Sequence, residues 1–195
     1  MHSFEDIYAD MKYHRMKLPG QKVDISIPHA RIIFEEAMQH FLQMEGRKMI
    51  WLPEYEEVIS WLTNNYGKGL FLYGNCGRGK SLLCRYVLPA ILLQHCRKVV
   101  SVFDIQDMNK DIDHVLSRHL ITLDDIGTEE VSVKYGERRT LFAEVMDAAE
   151  KCNKLIIIST NLSAAQLGQR YGDRVVERIK STTRRIAFNG RSLRV

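Results

Sequence analysis

Gly69-Leu70-Phe71-Leu72-Tyr73-Gly74-Asn75-Cys76-Gly77-Arg78-Gly79-Lys80-Ser81 is an apolar run that ends in a glycine-rich turn fitting GxxxxGK[ST]. A long apolar segment at helical spacing follows. Strand, loop and helix in that order make the turn a phosphate-binding loop, because Gly74, Gly77 and Gly79 accept backbone angles closed to residues with a Cβ. Successive amides then converge on one anion, and the helix starting near Lys80 adds its unsatisfied N–H groups and positive dipole end. A nucleoside triphosphate is the guest this arrangement suits. Lys80 is placed to reach the β- and γ-phosphates, and the Ser81 hydroxyl to supply an oxygen to a magnesium ion. The whole stretch from Gly74 through Asn75, Cys76, Gly77, Arg78, Gly79, Lys80 and Ser81 to Leu82 is the expected cofactor-binding segment.

The loop belongs to a repeating alternation. After the strand at 69–73 the pattern predicts a helix over 79–95, a strand over 98–103, a helix over 105–116 and a strand over 119–123. A helix over 137–151, a strand over 154–159, short helices over 163–180 and a last strand near 184–188 complete it. Strand-helix alternation with β-branched runs predicts an α/β fold with a parallel sheet covered on both faces. Pro89 falls inside the helix after the loop and predicts a kink there.

Leu120-Ile121-Thr122-Leu123-Asp124-Asp125 is an apolar strand closing on two carboxylates. In a parallel sheet it ends at the same edge as the phosphate loop. Phosphoryl transfer needs one carboxylate for hydrated magnesium and another to polarise the attacking water, so Asp124 is assigned to the metal and Asp125 to the water. Ile156-Ile157-Ile158-Ser159-Thr160-Asn161 is a second buried strand with a polar end. Asn161 either holds the water or a γ-phosphate oxygen, or caps the helix that starts at Leu162. Thr160 is a second candidate for the polar role.

Tyr171-Gly172-Asp173-Arg174-Val175-Val176-Glu177-Arg178-Ile179-Lys180 reads as a helix with Val175 and Ile179 buried and Arg174 and Arg178 one turn apart on one face. Two readings stand. The guanidinium groups meet a phosphate presented by another molecule, or they form an ordinary surface pattern with Asp173 and Glu177.

With 195 residues the chain accommodates one α/β domain with an N-terminal extension. Its net charge of +4 is unevenly spread: from Arg170 onward eight Lys or Arg face two Asp or Glu, a net of +6, which leaves residues 1–169 at −2. That basic end can meet nucleic acid, a neighbour's nucleotide or water. No stretch approaches the ~20 apolar residues of a membrane span, and the start lacks a signal-peptide pattern, so a cytoplasmic protein with no membrane contact is expected. Cys76, Cys84, Cys96 and Cys152 are scattered, which favours reduced thiols over disulfides or zinc.

Residues 1–44 are expected to be an N-terminal arm and helix. Ser3 caps a short first helix with Glu5 and Asp6 in its first turn, the breakers Pro19-Gly20 and Pro28 follow, and residues 1–30 are expected to have little core of their own. Ile33, Ala37, Phe41 and Met44 are expected to form the buried stripe of a helix over 30–44. Pro53 then opens a helix with Glu54, Glu56 and Glu57 in its first turn and Tyr55, Val58, Ile59 and Leu62 as its apolar stripe. Trp51-Leu52-Pro53 before it lies either against an adenine ring or in the core.

Taken together, GNCGRGKS, LITLDDIG, IIISTNL and YGDRVVERIKS resemble, in order and spacing, the AAA+ ATPase domain of bacterial helicase loaders of the DnaC and DnaI type, with the IstB-type transposition ATP-binding proteins as relatives. The resemblance covers residues 45–195. It implies a P-loop NTPase sheet of five parallel strands in the order 5-1-4-3-2, without the C-terminal helical lid of longer AAA+ proteins. By the same resemblance Lys80 and Ser81 are Walker A residues, Asp124 and Asp125 Walker B, Asn161 sensor 1, and Arg178 an arginine finger with Arg174 beside it. ATP, Mg2+, self-assembly with ATP through shared sites, binding of single-stranded DNA and delivery of a DnaB-like replicative hexameric helicase are implied partners and activities. The chain departs from the family in having Asp125 where many AAA+ proteins carry Glu, which puts rapid hydrolysis in doubt. The expected function is thus a slowly hydrolysing, Mg-dependent ATPase that loads or remodels a DNA helicase in replication, with an IstB-like transposition helper or a small-molecule P-loop kinase as alternatives.

Overall fold

Five strands form a fully parallel sheet: β1 (Gly69–Gly74), β2 (Ser101–Asp104), β3 (Leu120–Ile126), β6 (Leu155–Thr160) and β7 (Thr183–Phe188), side by side in the order β2-β3-β6-β1-β7. Numbered among themselves these strands run 2-3-4-1-5, which is the expected 5-1-4-3-2 viewed from the other edge. The structure is a computed structural model that describes residues 3–16, 18, 20–104, 108, 111–128 and 141–193, and the backbone of 133–134 and 137–138. Pro19, residues 105–107 and 109–110 of the helix expected over 105–116, and residues 139–140 of the helix expected over 137–151 lie outside the described residues.

Strand alternation sorts the core into two layers. Leu70, Leu72, Leu155, Ile157, Ile186 and Phe188 face one side, packed by α2 (Ala30–Met44), α3 (Glu54–Thr63), α4 (Lys80–Leu82) and α5 (Leu88–Cys96). Phe71, Ile121, Leu123, Ile156 and Ile158 face the other, against α6 (Ile112–Ser117), α7 (Leu141–Cys152), α8 (Ala164–Tyr171) and α9 (Asp173–Thr182). Burial on both faces is what a parallel sheet requires. Among the described residues no helix is long and apolar enough to cross a membrane.

Several local expectations shift. A short antiparallel pair, β4 (Val133–Lys134) with β5 (Glu137–Arg138), occupies the start of the segment expected to be helical from 137, and α7 begins at Leu141. The strand expected from 98 begins at Ser101. In α2 the buried positions are Ala30, Phe34, Met38 and Leu42, whereas Met44 is 73% exposed. The helix is apolar over more than one stripe, and the stripe one position on from the expected one faces the core while Ile33, Ala37 and Phe41 pack at its margin. Instead of a simple kink at Pro89, residues Leu83–Val87 between α4 and α5 widen into a π-helical stretch. Pro89 has no N–H for the Arg85 carbonyl and its ring crowds that carbonyl, so the wider turn relieves both problems.

The N-terminal segment also differs from expectation. Ser3 does cap α1 (Phe4–Tyr13) through a capping box with Asp6, and that helix buries no side chain. Residues 20–27, however, are not an appendage: Val23, Ile25 and Ile27 are buried in the same core as Leu70 and Trp61, on alternating positions of an extended chain. Asn65 holds them there. Its Oδ1 accepts from Ile25 N (2.8 Å) and its Nδ2 donates to Val23 O (2.9 Å) and Lys68 O (3.1 Å), while Trp61 Nε1 donates to Lys68 O (2.9 Å) at the entry to β1. Asn65→Ala leaves two buried backbone groups unpaired and is expected to lower unfolding free energy by about 2–3 kcal/mol. Urea denaturation measures it; a loss below about 0.5 kcal/mol would show that water replaces the side chain at no cost.

Candidate nucleotide site

At the carboxyl end of the sheet the backbone of β1 turns sharply at Gly74, whose φ is 117°. A Cβ there would stand 2.5 Å from the carbonyl oxygen of Phe188 on the neighbouring strand, so only glycine lets β1 and β7 stay paired up to the loop. The loop then runs through Gly77 and Gly79, both with positive φ, into α4. Cys76, Gly77, Gly79, Lys80, Ser81 and Leu82 line a cavity of about 400 Å³, with Asp125, Ser159 and Asn161 on its far wall. A second cavity of about 650 Å³ shares Arg47, Gly79 and Leu82 with the first and is walled by Met38, Leu42, Ile50 and Tyr55. One compartment is polar and ringed by loop amides and the other is apolar, which suits a nucleotide with its phosphates in the first and its base in the second.

The polar side chains are already wired together. Lys80 Nζ donates to Gly74 O (2.9 Å), Asn75 O (2.7 Å) and Asn161 Oδ1 (2.8 Å). Asn161 Nδ2 in turn donates to Asp125 Oδ1 (2.8 Å). Burial lowers the Lys80 pKa, against the smaller opposing pull of Cys76, Asp125, Cys84 and Asp124. Asp125 has left regular strand geometry, with φ at 58° where β3 bulges, and this turn puts it on the cavity although its neighbour Asp124 is buried. Asp124 accepts from the Ser159 hydroxyl at one oxygen and from Arg85 Nε (2.6 Å) at the other. Ser159 Oγ also accepts from Asp125 N (2.9 Å), so one hydroxyl bonds both the Asp124 carboxylate and the Asp125 backbone. Carboxylate oxygens such as those of Asp124 have the hard oxygen chemistry that Mg2+ favours.

No protein-family model matches the sequence, and a search of curated protein sequences finds no significant match. Solved structures do match. The crystal structure of the DnaC helicase loader aligns with a TM-score of 0.59 at 23% identity, over 73% of this chain and 94% of that one. DnaI aligns at 0.51 and 22% identity, over 65% and 73%. AMPPCP-bound DnaA from Aquifex aeolicus aligns at 0.52 and 17% identity, over 72% of this chain and 48% of the DnaA chain. The fold is that of DnaC/DnaI-like AAA+ proteins. At these identities the likeness speaks for the fold alone.

On that fold the structure brings Lys80, Ser81, Asp125 and Asn161 to one cavity, with Asp124 behind it. Thr160 is not part of the polar wall: it is fully buried and its hydroxyl donates to Ile126 O and accepts from Leu162 N. Trp51 does not face the apolar compartment either. It packs edge-on to Phe34 and Tyr55 under the Arg31 guanidinium, and Ile50 and Tyr55 line the cavity instead. Burial and the neighbouring Glu54 push the Tyr55 pKa up to about 12, which keeps its hydroxyl protonated. Arg174 and Arg178 do not project together. Arg174 is exposed, whereas Arg178 is buried, its Nε donating to Glu150 Oε2 (3.1 Å) and its Nη2 to Asp147 on α7.

Three features had no motif to announce them. Arg85 lies inside an apolar helix, and Ser159 passes as the polar end of a strand. The third is a strap after β7: Asn75 N donates to Phe188 O (2.8 Å), Asn75 Nδ2 to Gly190 O (2.8 Å) and Leu193 N to Gly77 O (2.9 Å). Beside it Arg78 forms a buried ion pair with Glu54 (2.6 Å), and the same Glu54 oxygen accepts from Asn189 N (3.1 Å). Glu54, expected as an ordinary first-turn charge, thus ties α3, the phosphate loop and the strap together. Arg78→Met alone leaves a buried carboxylate unpaired and is expected to cost about 3 kcal/mol in denaturant unfolding. In a Glu54→Gln background the same change should cost far less, and equal costs in both backgrounds would show that the pair is not coupled.

Proposed function

We propose that this chain binds ATP with Mg2+ at the phosphate loop, hydrolyses it slowly, and acts as an ATP-dependent loader or remodeller of a DNA helicase in replication. The hydrogen-bonded run Lys80–Asn161–Asp125 across the polar cavity carries the reading, because it joins a phosphate-binding cation to a water-positioning amide and a carboxylate base. The loop amides and Lys80 would hold the phosphates, Lys80 trading its Gly74 and Asn75 carbonyls for phosphate oxygens. Asp125 would accept the proton of the attacking water while Asn161 orients it, giving ADP and phosphate. Bound Mg2+, held through Ser81 and Asp124, would offset charge on the β- and γ-phosphates. The aspartate at 125 has a shorter reach than a glutamate, which favours slow turnover and a switching role.

Self-assembly completes the site in this reading. Arg174 is exposed and is offered to a neighbour's nucleotide; Arg178 joins it when it exchanges Asp147 and Glu150 for phosphate. An arginine given in trans contributes on the order of 10³-fold in rate. The excess of positive charge after residue 170, including exposed Arg174, Lys180 and Arg185, suits single-stranded DNA. The DnaC and DnaI folds are the support for a replicative helicase of the DnaB type as client.

The test combines three measurements. ATP should drive self-assembly, single-stranded DNA should raise ATPase activity, and Asp125→Asn should bind ATP as wild type while turnover falls at least about 100-fold. A chain that stays monomeric with ATP and transfers phosphate to a small acceptor would instead be a kinase.

A further inference from the structure

Arg85 sits where Mg2+ is needed. Its Nε lies 2.6 Å from Asp124 Oδ2, the carboxylate assigned to the metal, and its Nη2 lies 4.0 Å from Asp104 Oδ2 on the next strand. Asp124 has only 2% of its surface exposed, and its other oxygen already accepts the Ser159 hydroxyl. Left without a counter-charge, so deeply buried a carboxylate would be strongly unfavourable. The guanidinium supplies that charge, while itself 39% exposed and lining the same cavity as Lys80 and Ser81. Its position follows from the backbone: Pro89 imposes the π-helical stretch Leu83–Val87, whose Leu83, Cys84 and Val87 are buried while Arg85 and Tyr86 line the cavity.

We infer that Arg85 is a resident counter-ion that competes with Mg2+ for Asp124, so that metal binding at the nucleotide site is opposed by its guanidinium and favoured when that group shifts toward Asp104. This rests on the assignment of Asp124 to the metal. A carboxylate oxygen that accepts a charge-assisted hydrogen bond from a guanidinium is a poorer ligand for a second cation, and the two positive charges repel, so part of what the Arg85 contact contributes to the metal-free chain is subtracted from metal affinity. Arg85 is therefore a positioning residue with two consequences: it stabilises the metal-free state and it raises the metal concentration needed for nucleotide binding. Asp104, whose Oδ2 lies 4.0 Å from Arg85 Nη2, is a second carboxylate within reach of the displaced charge.

Mn2+ titration followed by electron paramagnetic resonance, on the full chain with ADP present, reads the competition without requiring turnover. Arg85→Gln should reach half-saturation at about tenfold lower Mn2+ than wild type, the fold expected for losing one charge-assisted hydrogen bond. In EDTA the same variant should melt at a lower temperature than wild type, and Mn2+ with ADP should close the gap. Arg85→Lys, which keeps the charge on an unforked donor, should fall between them and covers the case in which the glutamine variant does not fold. Unchanged or weaker Mn2+ binding in Arg85→Gln overturns the inference. Asp124→Asn separates the two levels: if it leaves Mn2+ binding intact, the metal assignment itself fails and the Arg85 inference with it. If it abolishes Mn2+ binding while both Arg85 variants match wild type, only the Arg85 inference fails.

Discussion

The parallel pairing of β1 with β6 on one side and β7 on the other sets Tyr73 beside Thr160 and Gly74 beside Phe188 at one edge of the sheet. Every functional feature depends on that register. It delivers the phosphate loop from an interior strand of the sheet, brings Asn161 out one residue beyond β6 to meet Lys80, and lets the chain after β7 run back over Asn75 and Gly77. On the other side of β6, β3 pairs in register through Leu123 and then bulges, which frees Asp125 to face the cavity while Asp124 stays inside. A one-residue slip in any of these pairings would turn the polar ends to the wrong face, and the two apolar layers oppose such a slip on both faces of the sheet.

Much of this was legible in the chain itself. Apolar runs ending in GNCGRGKS, DD and STN marked three strands and the edge at which they converge, because a buried parallel strand announces itself by composition. Less legible were features set by packing. The burial of Val23, Ile25 and Ile27 was present as a two-residue alternation, but the nearby proline and glycine suggested a loose arm, and the Asn65 side chain that anchors them lies about forty residues away in sequence. The buried face of α2 was misplaced by one position because the helix carries adjacent apolar stripes, and only the position of the sheet decides between them.

Ionic partners were the least legible of all. Glu54 reads in sequence as a first-turn helix charge and Arg78 as part of the cofactor-binding segment, yet they pair with each other and each is about 10% exposed at its side chain. Arg178 looked like a projecting group and instead folds onto Asp147 and Glu150. These pairings share one pattern. Lys80 bonds Asn161 and two carbonyls, Asp124 pairs with Arg85, and Arg178 pairs with α7. Under the proposed function, binding of ATP and Mg2+ would exchange these partners for ligand oxygens. Such exchange suits a protein whose work is switching more than turnover.

Calorimetric titration with ATP and Mg2+ tests the central claim most directly. The wild-type chain should bind one ATP saturably, and Lys80→Ala, folded to the same extent by circular dichroism, should show no measurable heat of binding. Equal binding by the two chains, or none by the wild type, would contradict the assignment of this cavity to a nucleotide.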